Sequence, residues 1–260
     1  MDKSKKITSW TAIYVLWLRE MKRFIRSRSR IFGMVGRPLF FLVFLGLGFK
    51  RIPVTFIPGG VDYLHFLVPG VIGMTMLFSS MFAGISVLWD REFGFLKEIM
   101  VAPVSRVSIV LGRMAGGTTT GVLQGIFILS VSLLLGFKIT GAIPLIVSVI
   151  FMILISATFI GLGLIFASQM KDIQGFSIVM NFIILPLFFL SGALFPLENL
   201  PVWIRYFSYI DPLTYGVDGL RGALIGVSSL PILFDFIIIA GFAVLMVLAG
   251  AYLFEKSEAV

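Results

Sequence analysis

Six long apolar stretches are the feature that most limits what this chain can fold into. A bilayer core about 30 Å thick requires about 20 consecutive apolar residues in a helix. The stretches that approach or exceed this length cover residues 31–49, 66–89, 108–135, 143–168, 176–194 and 231–254. With 58% hydrophobic and only 13% charged residues, the chain has more apolar surface than a water-soluble protein of 260 residues can bury. The sequence therefore predicts an all-α membrane protein with six transmembrane helices.

The first of these stretches carries a charge. Arg37 interrupts it, and Pro38 follows directly. We expect the Arg37 side chain to extend towards the water at the inner end of its helix, which limits the cost of the charge. Pro38 is expected to kink the entry of the helix.

The distribution of positive charge predicts the orientation of the spans. Ten of the 21 Lys and Arg residues precede Pro38, and six more lie on the same predicted side, which leaves five on the other side. An excess of Lys and Arg marks the cytoplasmic side, so we expect both termini there, with contacts to anionic lipid. The net charge of +8 is not accompanied by a nucleic-acid-binding motif, which argues against nucleic acid as a partner.

An amphipathic helix is predicted before the first span, over residues 8–25. Its apolar residues recur at helical spacing on one face: Trp10, Ile13, Tyr14, Trp17, Leu18 and Met21. Arg19, Glu20, Lys22 and Arg23 lie largely off that face, as in a helix at a membrane interface. Such a helix is either a passive anchor or a mechanical element. We therefore divide the chain into a cytoplasmic segment, 1–30, and a six-helix transmembrane domain, 31–260.

Glycines in the third span indicate close helix packing. Gly117, Gly121 and Gly125 are spaced by four residues and share one helix face, where another backbone can approach. The partner is another helix of the same chain or a helix of a second copy.

Two polar segments are too structured to be simple connectors. The first, predicted cytoplasmic, covers residues 90–113 and reads DREFGFLKEIMVAPVSRVSIVLGR. It is either an ordinary turn between spans or a docking element for a cytoplasmic partner.

The second polar segment, predicted outside, covers residues 195–229, where Pro196, Pro201 and Pro212 divide it into pieces too short to span. Its aromatic residues favour a membrane interface, so we expect two short helices that dip back towards the bilayer.

These segments resemble the ABC-2 type transporter permeases. The run LSGALFPLENLPVWIRYFSYIDPLTYGVDGLRGALIG is similar to that family's signature before the last span. The runs DREFGFLKEIMVAPVSR and IVLGR are similar to its loop between the second and third spans. The resemblance covers nearly the whole chain. It implies six spans, an interfacial N-terminal helix, a short coupling helix and a re-entrant helical pair before the last span.

The resemblance also implies roles for particular residues. A coupling helix falls on residues 90–101, and its candidate contacts with an ATPase are Asp90, Arg91, Glu92, Leu96, Lys97 and Glu98. A re-entrant gate falls on residues 196–226, with Pro196, Trp203, Tyr209, Pro212, Tyr215, Asp218 and Arg221 as its candidate residues. Two copies of the permease are expected to pair, with two copies of a separate ATPase below them.

The chain itself has no phosphate-binding Gly-x-x-x-x-Gly-Lys-Ser/Thr run, so we expect no enzymatic activity and no cofactor. It has no cysteine and a single histidine, His65, which predicts no metal site. Asp235, near the outer end of the last span, is either a proton or cation site or a side chain that reaches water.

The expected function is export of an amphiphilic substrate (a drug, lipid or lipid-linked glycan) across a prokaryotic plasma or inner membrane. A secondary transporter and a non-transporting membrane scaffold are the alternatives.

Overall fold

The computed structural model describes residues 10–49, 60–93, 105–139, 141–170 and 172–257. Ten α-helices lie in these ranges. They are α1 (Trp10–Arg26), α2 (Arg28–Gly48), α3 (Tyr63–Ala83), α4 (Ile85–Glu92), α5 (Arg106–Leu134), α6 (Ala142–Gln169), α7 (Ile173–Leu190), α8 (Val202–Ser208), α9 (Pro212–Ile225) and α10 (Ile232–Ser257). The all-α fold class is therefore confirmed for the part of the chain that the structure describes.

Five helices are long and apolar enough to cross a membrane. They cover Tyr63–Asp90, Val107–Leu134, Ala142–Gln169, Ile173–Leu190 and Ile232–Phe254. The first predicted span, 31–49, coincides with most of α2, in which the described apolar stretch is Gly36–Leu47. By length and composition the described residues therefore support five spans, and the sixth remains a proposal.

Helix α2 differs from the prediction in the position of the Arg37 side chain. It runs through Pro38 without interruption, and the predicted kink at the helix entry stays a prediction. The Arg37 guanidinium lies 4.6 Å from the centre of the Phe78 ring on α3 rather than at the end of its helix. Phe78 precedes Asp90, the end of that span, by 12 residues, which is about 18 Å of helix. The expectation that Arg37 extends to the inner end is therefore wrong in this structure.

Helix α7 ends earlier than the predicted span 176–194. Residues 176–194 were expected to be helical, but α7 ends at Leu190. Ser191 begins a turn in which its side-chain oxygen accepts a hydrogen bond from the amide of Ala193. Gly192 has φ +72°, a left-handed conformation that glycine adopts without steric cost. This turn redirects the chain towards α3, where Gly70 lies directly against the carbonyl of Ala193.

Helix α6 is the centre of the bundle and packs against α3, α5, α9 and α10. Its contact with α10 is made backbone to backbone, because a Cβ atom at Gly161 would lie 2.6 Å from the carbonyl of Met246. The predicted glycine face of α5 also meets this helix. A Cβ at Gly117 would lie 2.8 Å from Ile160, and one at Gly121 would lie 2.8 Å from Ser156. The glycine face is therefore used for packing inside one chain.

Candidate functional site

Helix α1 lies against a second glycine surface of α5. A Cβ atom at Gly112 would lie 2.8 Å from the Cβ of Leu16, and one at Gly116 would lie 2.7 Å from the Cβ of Glu20. The indole N–H of Trp17 donates a 3.1 Å hydrogen bond to the hydroxyl of Thr119, one turn further along. Only residues without a side chain allow the two helices to approach this closely. Helix α1 is therefore held on the bundle by specific contacts.

A buried ion cluster lies beside this contact. The carboxylate of Asp90, at the end of the second span, accepts a hydrogen bond of 2.5 Å from Arg19 of α1 and one of 2.6 Å from Arg113 of α5. Arg113 also donates to the hydroxyl of Ser86 at 3.5 Å. Asp90 is only 5% exposed and Arg113 only 8%. One carboxylate thus joins α1, α4 and α5, and the removal of water strengthens both attractions.

The ion cluster stands where the predicted coupling segment begins. Asp90, Arg91 and Glu92 form the last turn of α4, and the Phe93 side chain that follows is 81% exposed. Leu96, Lys97 and Glu98 lie outside the described residues. The carboxylate of Asp90 has two guanidinium partners within the chain, Arg19 and Arg113.

Sequence reasoning placed Arg19 on the polar face of α1 and did not find its partner. The sequence does contain one indication of the contact between α1 and α5, which is the spacing of Gly112, Gly116 and Thr119 along one side of the third span. What the sequence lacks is any indication that this side faces α1, because Arg19 and Asp90 are 71 residues apart. The ion cluster was therefore missed.

The segment between α7 and α10 forms two short helices, α8 and α9, as predicted in number and approximate position. Helix α8 is mostly exposed in the isolated chain and presents Trp203, Tyr206 and Tyr209 on its surface or at its end. The guanidinium of Arg205 on its other side donates to the carbonyls of Leu197 and Glu198. These hydrogen bonds fold the preceding 3-10 turn, Leu197–Asn199, back onto α8.

Helix α9 is enclosed by the bundle. Every residue from Asp211 to Arg221 is buried. A Cβ at Gly216 would lie 2.5 Å from Ile155, which is at the middle of α6, and Gly219 lies directly against the ring of Phe151. Ile155 follows the start of α6 by 13 residues, about 20 Å of helix, so α9 reaches deep between the long helices.

The two charged side chains of α9, Asp218 and Arg221, have partners inside the protein, although the Nε of Arg221 makes no hydrogen bond. Asp218 accepts hydrogen bonds from the backbone amides of Ser229 and Leu230 at 2.9 Å. Arg221 donates to the carbonyl of Gly192 at 2.9 Å, and its guanidinium lies 3.8 Å from the centre of the Phe66 ring. Arg221 therefore connects α9 to the turn after α7.

The candidate gate residues fall into two groups. Pro196, Pro212, Tyr215, Asp218 and Arg221 are buried, and the hydroxyl of Tyr215 donates to the carbonyl of Tyr209 at 2.8 Å. Trp203 and Tyr209 are 66% and 43% exposed. The structure thus brings the buried group together on or beside α9 and leaves the other two at the surface of the isolated chain.

Two single titratable residues differ from what the sequence suggested. His65, which directly precedes the predicted span 66–89, lies within α3, with its ring 5.2 Å from that of Phe137. Asp235 is fully buried, so the interpretation that it reaches water is wrong in this structure. Within the described ranges, no group of three or more His, Cys, Asp or Glu residues is arranged to hold a metal ion.

The long apolar helices identify a multi-pass membrane protein, and comparison with known proteins gives its family. The sequence profile of the ABC-2 type transporter family matches residues 11–225, so this chain belongs to the ABC-2 type transporter family. The "Putative transport permease ycf38" of Cyanophora paradoxa is 30% identical over 224 residues, which cover 85% of this chain and 77% of that protein.

Two bacterial proteins are similar over comparable lengths. The "Inner membrane transport permease YadH" of Escherichia coli (strain K12) is 27% identical over 239 residues, covering 90% of this chain and 91% of that protein. "Nodulation protein J" of Rhizobium leguminosarum bv. trifolii is 28% identical over 222 residues, covering 85% of this chain and 81% of that protein. The family match over residues 11–225 includes the first polar segment, most of the second and the ion cluster between α1, α4 and α5.

Proposed function

We propose that this chain is the membrane-spanning permease of an ATP-driven exporter, acting as a pair of copies with two copies of a separate ATPase. The observation that carries the proposal is the buried Asp90 carboxylate, which connects α1 and α5 to the segment where the family resemblance places the coupling helix. The family membership supports a transport function. The ATPase then supplies the energy, and this chain supplies the pathway.

Coupling follows from the geometry of the ion cluster. A force applied by an ATPase to residues 91–98 reaches Asp90 at the end of α4. Because Asp90 holds both Arg19 and Arg113, the displacement is passed to α1 and to α5 together. Separation of these charges inside the protein costs far more than separation of an exposed pair, so the three helices move as one unit. Asp90 therefore has a positioning role in the proposed mechanism. The proposed contacts with the ATPase are Arg91, Glu92, Leu96, Lys97 and Glu98.

Helices α8 and α9 are proposed to form a re-entrant gate at the opposite end of the pathway. The depth of α9 beside Ile155 supports this assignment, as do the exposed aromatic side chains of α8, which suit a membrane interface. Buried glycines at 216 and 219 allow α9 to approach α6 closely. The substrate is proposed to be amphiphilic, since the surroundings of the pathway are predominantly apolar.

The arrangement in the cell follows from the charge asymmetry of the sequence. Both termini and residues 91–98 are proposed to be cytoplasmic, in the plasma or inner membrane of a prokaryote. The glycine face of α5 is occupied by α6 of the same chain and therefore gives no support to the dimer, which rests on the family resemblance.

The test is co-purification of the ATPase with permease variants, together with transport in proteoliposomes. Glu92→Ala is expected to weaken ATPase binding by more than tenfold, because truncation of a buried interface charge costs about 2–5 kcal/mol. Glu98→Ala is expected to act in the same direction. The matched control is Glu198→Ala, an exposed glutamate in the segment proposed to lie outside.

The outcome separates this proposal from its rivals. Normal ATPase binding and transport in both Glu92→Ala and Glu98→Ala would show that residues 91–98 are not the coupling element. Transport by the purified chain without an ATPase would instead identify a secondary transporter. An ATPase that binds but shows no substrate-stimulated hydrolysis would identify a scaffold.

A further inference from the structure

A cavity of about 350 Å³ lies between α1, α2, α5 and the α3–α4 span. Its wall combines the aromatic rings of Phe24, Phe78, Phe82 and Trp89 with the polar side chains of Arg37 and Gln124. A volume of this size is typical of small-molecule sites, which are mainly apolar and carry a few polar groups that fix orientation. Neither the gate nor the ion cluster accounts for this cavity.

Arg37 is the group in this cavity that requires an explanation. Its guanidinium lies over the Phe78 ring, about 18 Å along the helix from the end marked by Asp90. Among the described residues, no carboxylate lies within ion-pair distance of Arg37. A charged side chain so far from a helix end is costly in a bilayer and usually marks a ligand site or an ion pathway. Arg37 is exposed in the isolated chain, and in a bilayer the face of one aromatic ring replaces only part of its hydration.

The charges around the cavity are also out of balance. Among the described residues, Arg37 and Glu20 are the charged side chains that line the cavity. Arg23 lies beside it over the Trp89 ring, and the Arg19–Asp90–Arg113 cluster lies beside it at Ser86, so the lining and these described neighbours together carry a net charge of +2. Arg23 lies 4.7 Å over the Trp89 ring, and its buried Nη1 has no hydrogen-bond partner. This imbalance favours an anion and disfavours a cationic drug.

We propose that this cavity binds the anionic headgroup of a lipid-like amphiphile, with a phosphate or carboxylate group against Arg37 and its hydrocarbon against the aromatic rings. The apolar side chains of Phe40 and Phe44, on the same helix as Arg37, are exposed on the isolated chain and provide a surface for the rest of the hydrocarbon. The inference deepens the proposed function by naming the charge of the cargo, and it rests on that function for the cargo's export.

Binding is tested with the purified permease alone in a neutral detergent, without ATPase, by native mass spectrometry. The probes are phosphatidic acid and the zwitterionic phosphatidylcholine with the same acyl chains. Phosphatidic acid is expected to bind at least about tenfold more tightly, which corresponds to one charge-assisted contact. Arg37→Gln is expected to remove this preference, and Arg37→Lys to retain part of it. The matched control is Arg26→Gln, an exposed arginine at the end of α1 that does not line the cavity.

A second variant keeps the test informative if Arg37→Gln does not fold. Thr120→Phe places a ring into the cavity without changing any charge, and it is expected to weaken the binding of both lipids. Equal binding of the two lipids, or an unchanged preference in Arg37→Gln, would overturn the proposal. Displacement of phosphatidic acid by inorganic phosphate at constant ionic strength would show a site for free anions and would also overturn it.

Dissociation of a dimer in Arg37→Gln without loss of lipid binding would assign Arg37 to a contact between copies instead. Because no ATPase is present, these outcomes are independent of whether ATP-driven transport itself is observed.

Discussion

Arg113 and Asp90 lie 2.6 Å apart and are both buried, although 23 residues separate them in the chain. The same carboxylate also accepts from Arg19 of α1. Removing any one of these three charged groups is costly, because the groups that remain lose a partner. This relationship makes α1, α4 and α5 mechanically dependent on one another.

Asp90→Asn is expected to destabilise the protein strongly. The substitution leaves Arg113 buried beside a neutral amide, and loss of one partner from a buried ion pair typically costs about 3–5 kcal/mol. The measurement is the midpoint of unfolding in a detergent titration, read by size-exclusion chromatography of a fluorescent fusion. Asp62→Asn is the control, because Asp62 is exposed and its side chain makes no capping hydrogen bond.

A double substitution separates stability from coupling. Asp90→Leu with Arg113→Met replaces the pair by apolar side chains of similar size, which often restores stability. We expect the double variant to unfold later than Asp90→Asn while transport remains impaired. Full transport in a stable double variant would contradict the positioning role of Asp90.

Gly116→Ala is expected to displace α1 from α5. The added Cβ would lie 2.7 Å from the Cβ of Glu20, and such overpacking costs about 1–3 kcal/mol. Since 1 kcal/mol changes a population about fivefold, maleimide labelling of Leu16→Cys should accelerate by roughly fivefold or more. The chain has no native cysteine to interfere. Gly36→Ala, where the added atom meets nothing within 4 Å, should leave the labelling rate unchanged.

Gly219→Ala is expected to destabilise the proposed gate because the new methyl group would overlap the ring of Phe151. The expected loss in the free energy of unfolding is about 1–3 kcal/mol. Phe151→Leu added to Gly219→Ala should recover part of this loss, which a simple helix-propensity effect would not explain. Gly241→Ala, in open space within α10, should be neutral or stabilising.

Asp218→Ala is expected to be more damaging than Asp218→Asn. Alanine leaves the amides of Ser229 and Leu230 without an acceptor and Arg221 without its neighbouring charge, whereas asparagine retains one acceptor oxygen. Each unsatisfied buried group costs about 1–3 kcal/mol. Thermal unfolding of the two variants in the same detergent gives the comparison. Equal midpoints would show that the hydrogen bonds to the amides contribute little.

The proposed orientation gives a labelling pattern in intact cells. Asn199→Cys lies in the segment between α7 and α8 and should react with a membrane-impermeant maleimide, whereas Lys256→Cys near the end of α10 should not. Both native side chains are exposed in the structure, so a difference in labelling reports the side of the membrane rather than burial. Labelling of Lys256→Cys alone would reverse the orientation.

The positions of the long helices were predictable because their length is a property of consecutive residues. The second, third, fourth and sixth predicted spans each lie within a few residues of an observed long apolar helix. The fifth was extended too far because residues 191–194 are apolar in part, whereas the turn depends on the conformation of Gly192. Local hydropathy contains no information on backbone angles of this kind.

The partners of the polar residues were not predictable from the same pattern. On α1, Trp10 and Trp17 were assigned to one apolar face, yet Trp10 is 82% exposed while Trp17 bonds to Thr119. The face of α1 that packs inward is selected by the glycines of α5, about 100 residues later in the chain. Periodicity shows that a helix has two faces, and only the tertiary fold decides which residues of each face are covered.

The separation between α1 and its binding surface has a consequence for biosynthesis. Trp17 and Thr119 are 102 residues apart, so at a synthesis rate of about 5–20 residues per second α1 leaves the ribosome roughly 5–20 s before the glycines of α5 exist. Asp90 follows Arg19 by 71 residues, so the partner of Arg19 is absent for most of this interval. Because α1 is amphipathic, it can remain at the lipid surface, where its aromatic residues are stable, until α5 is inserted into the membrane. Completion of the ion cluster then marks the point at which the first half of the molecule is assembled.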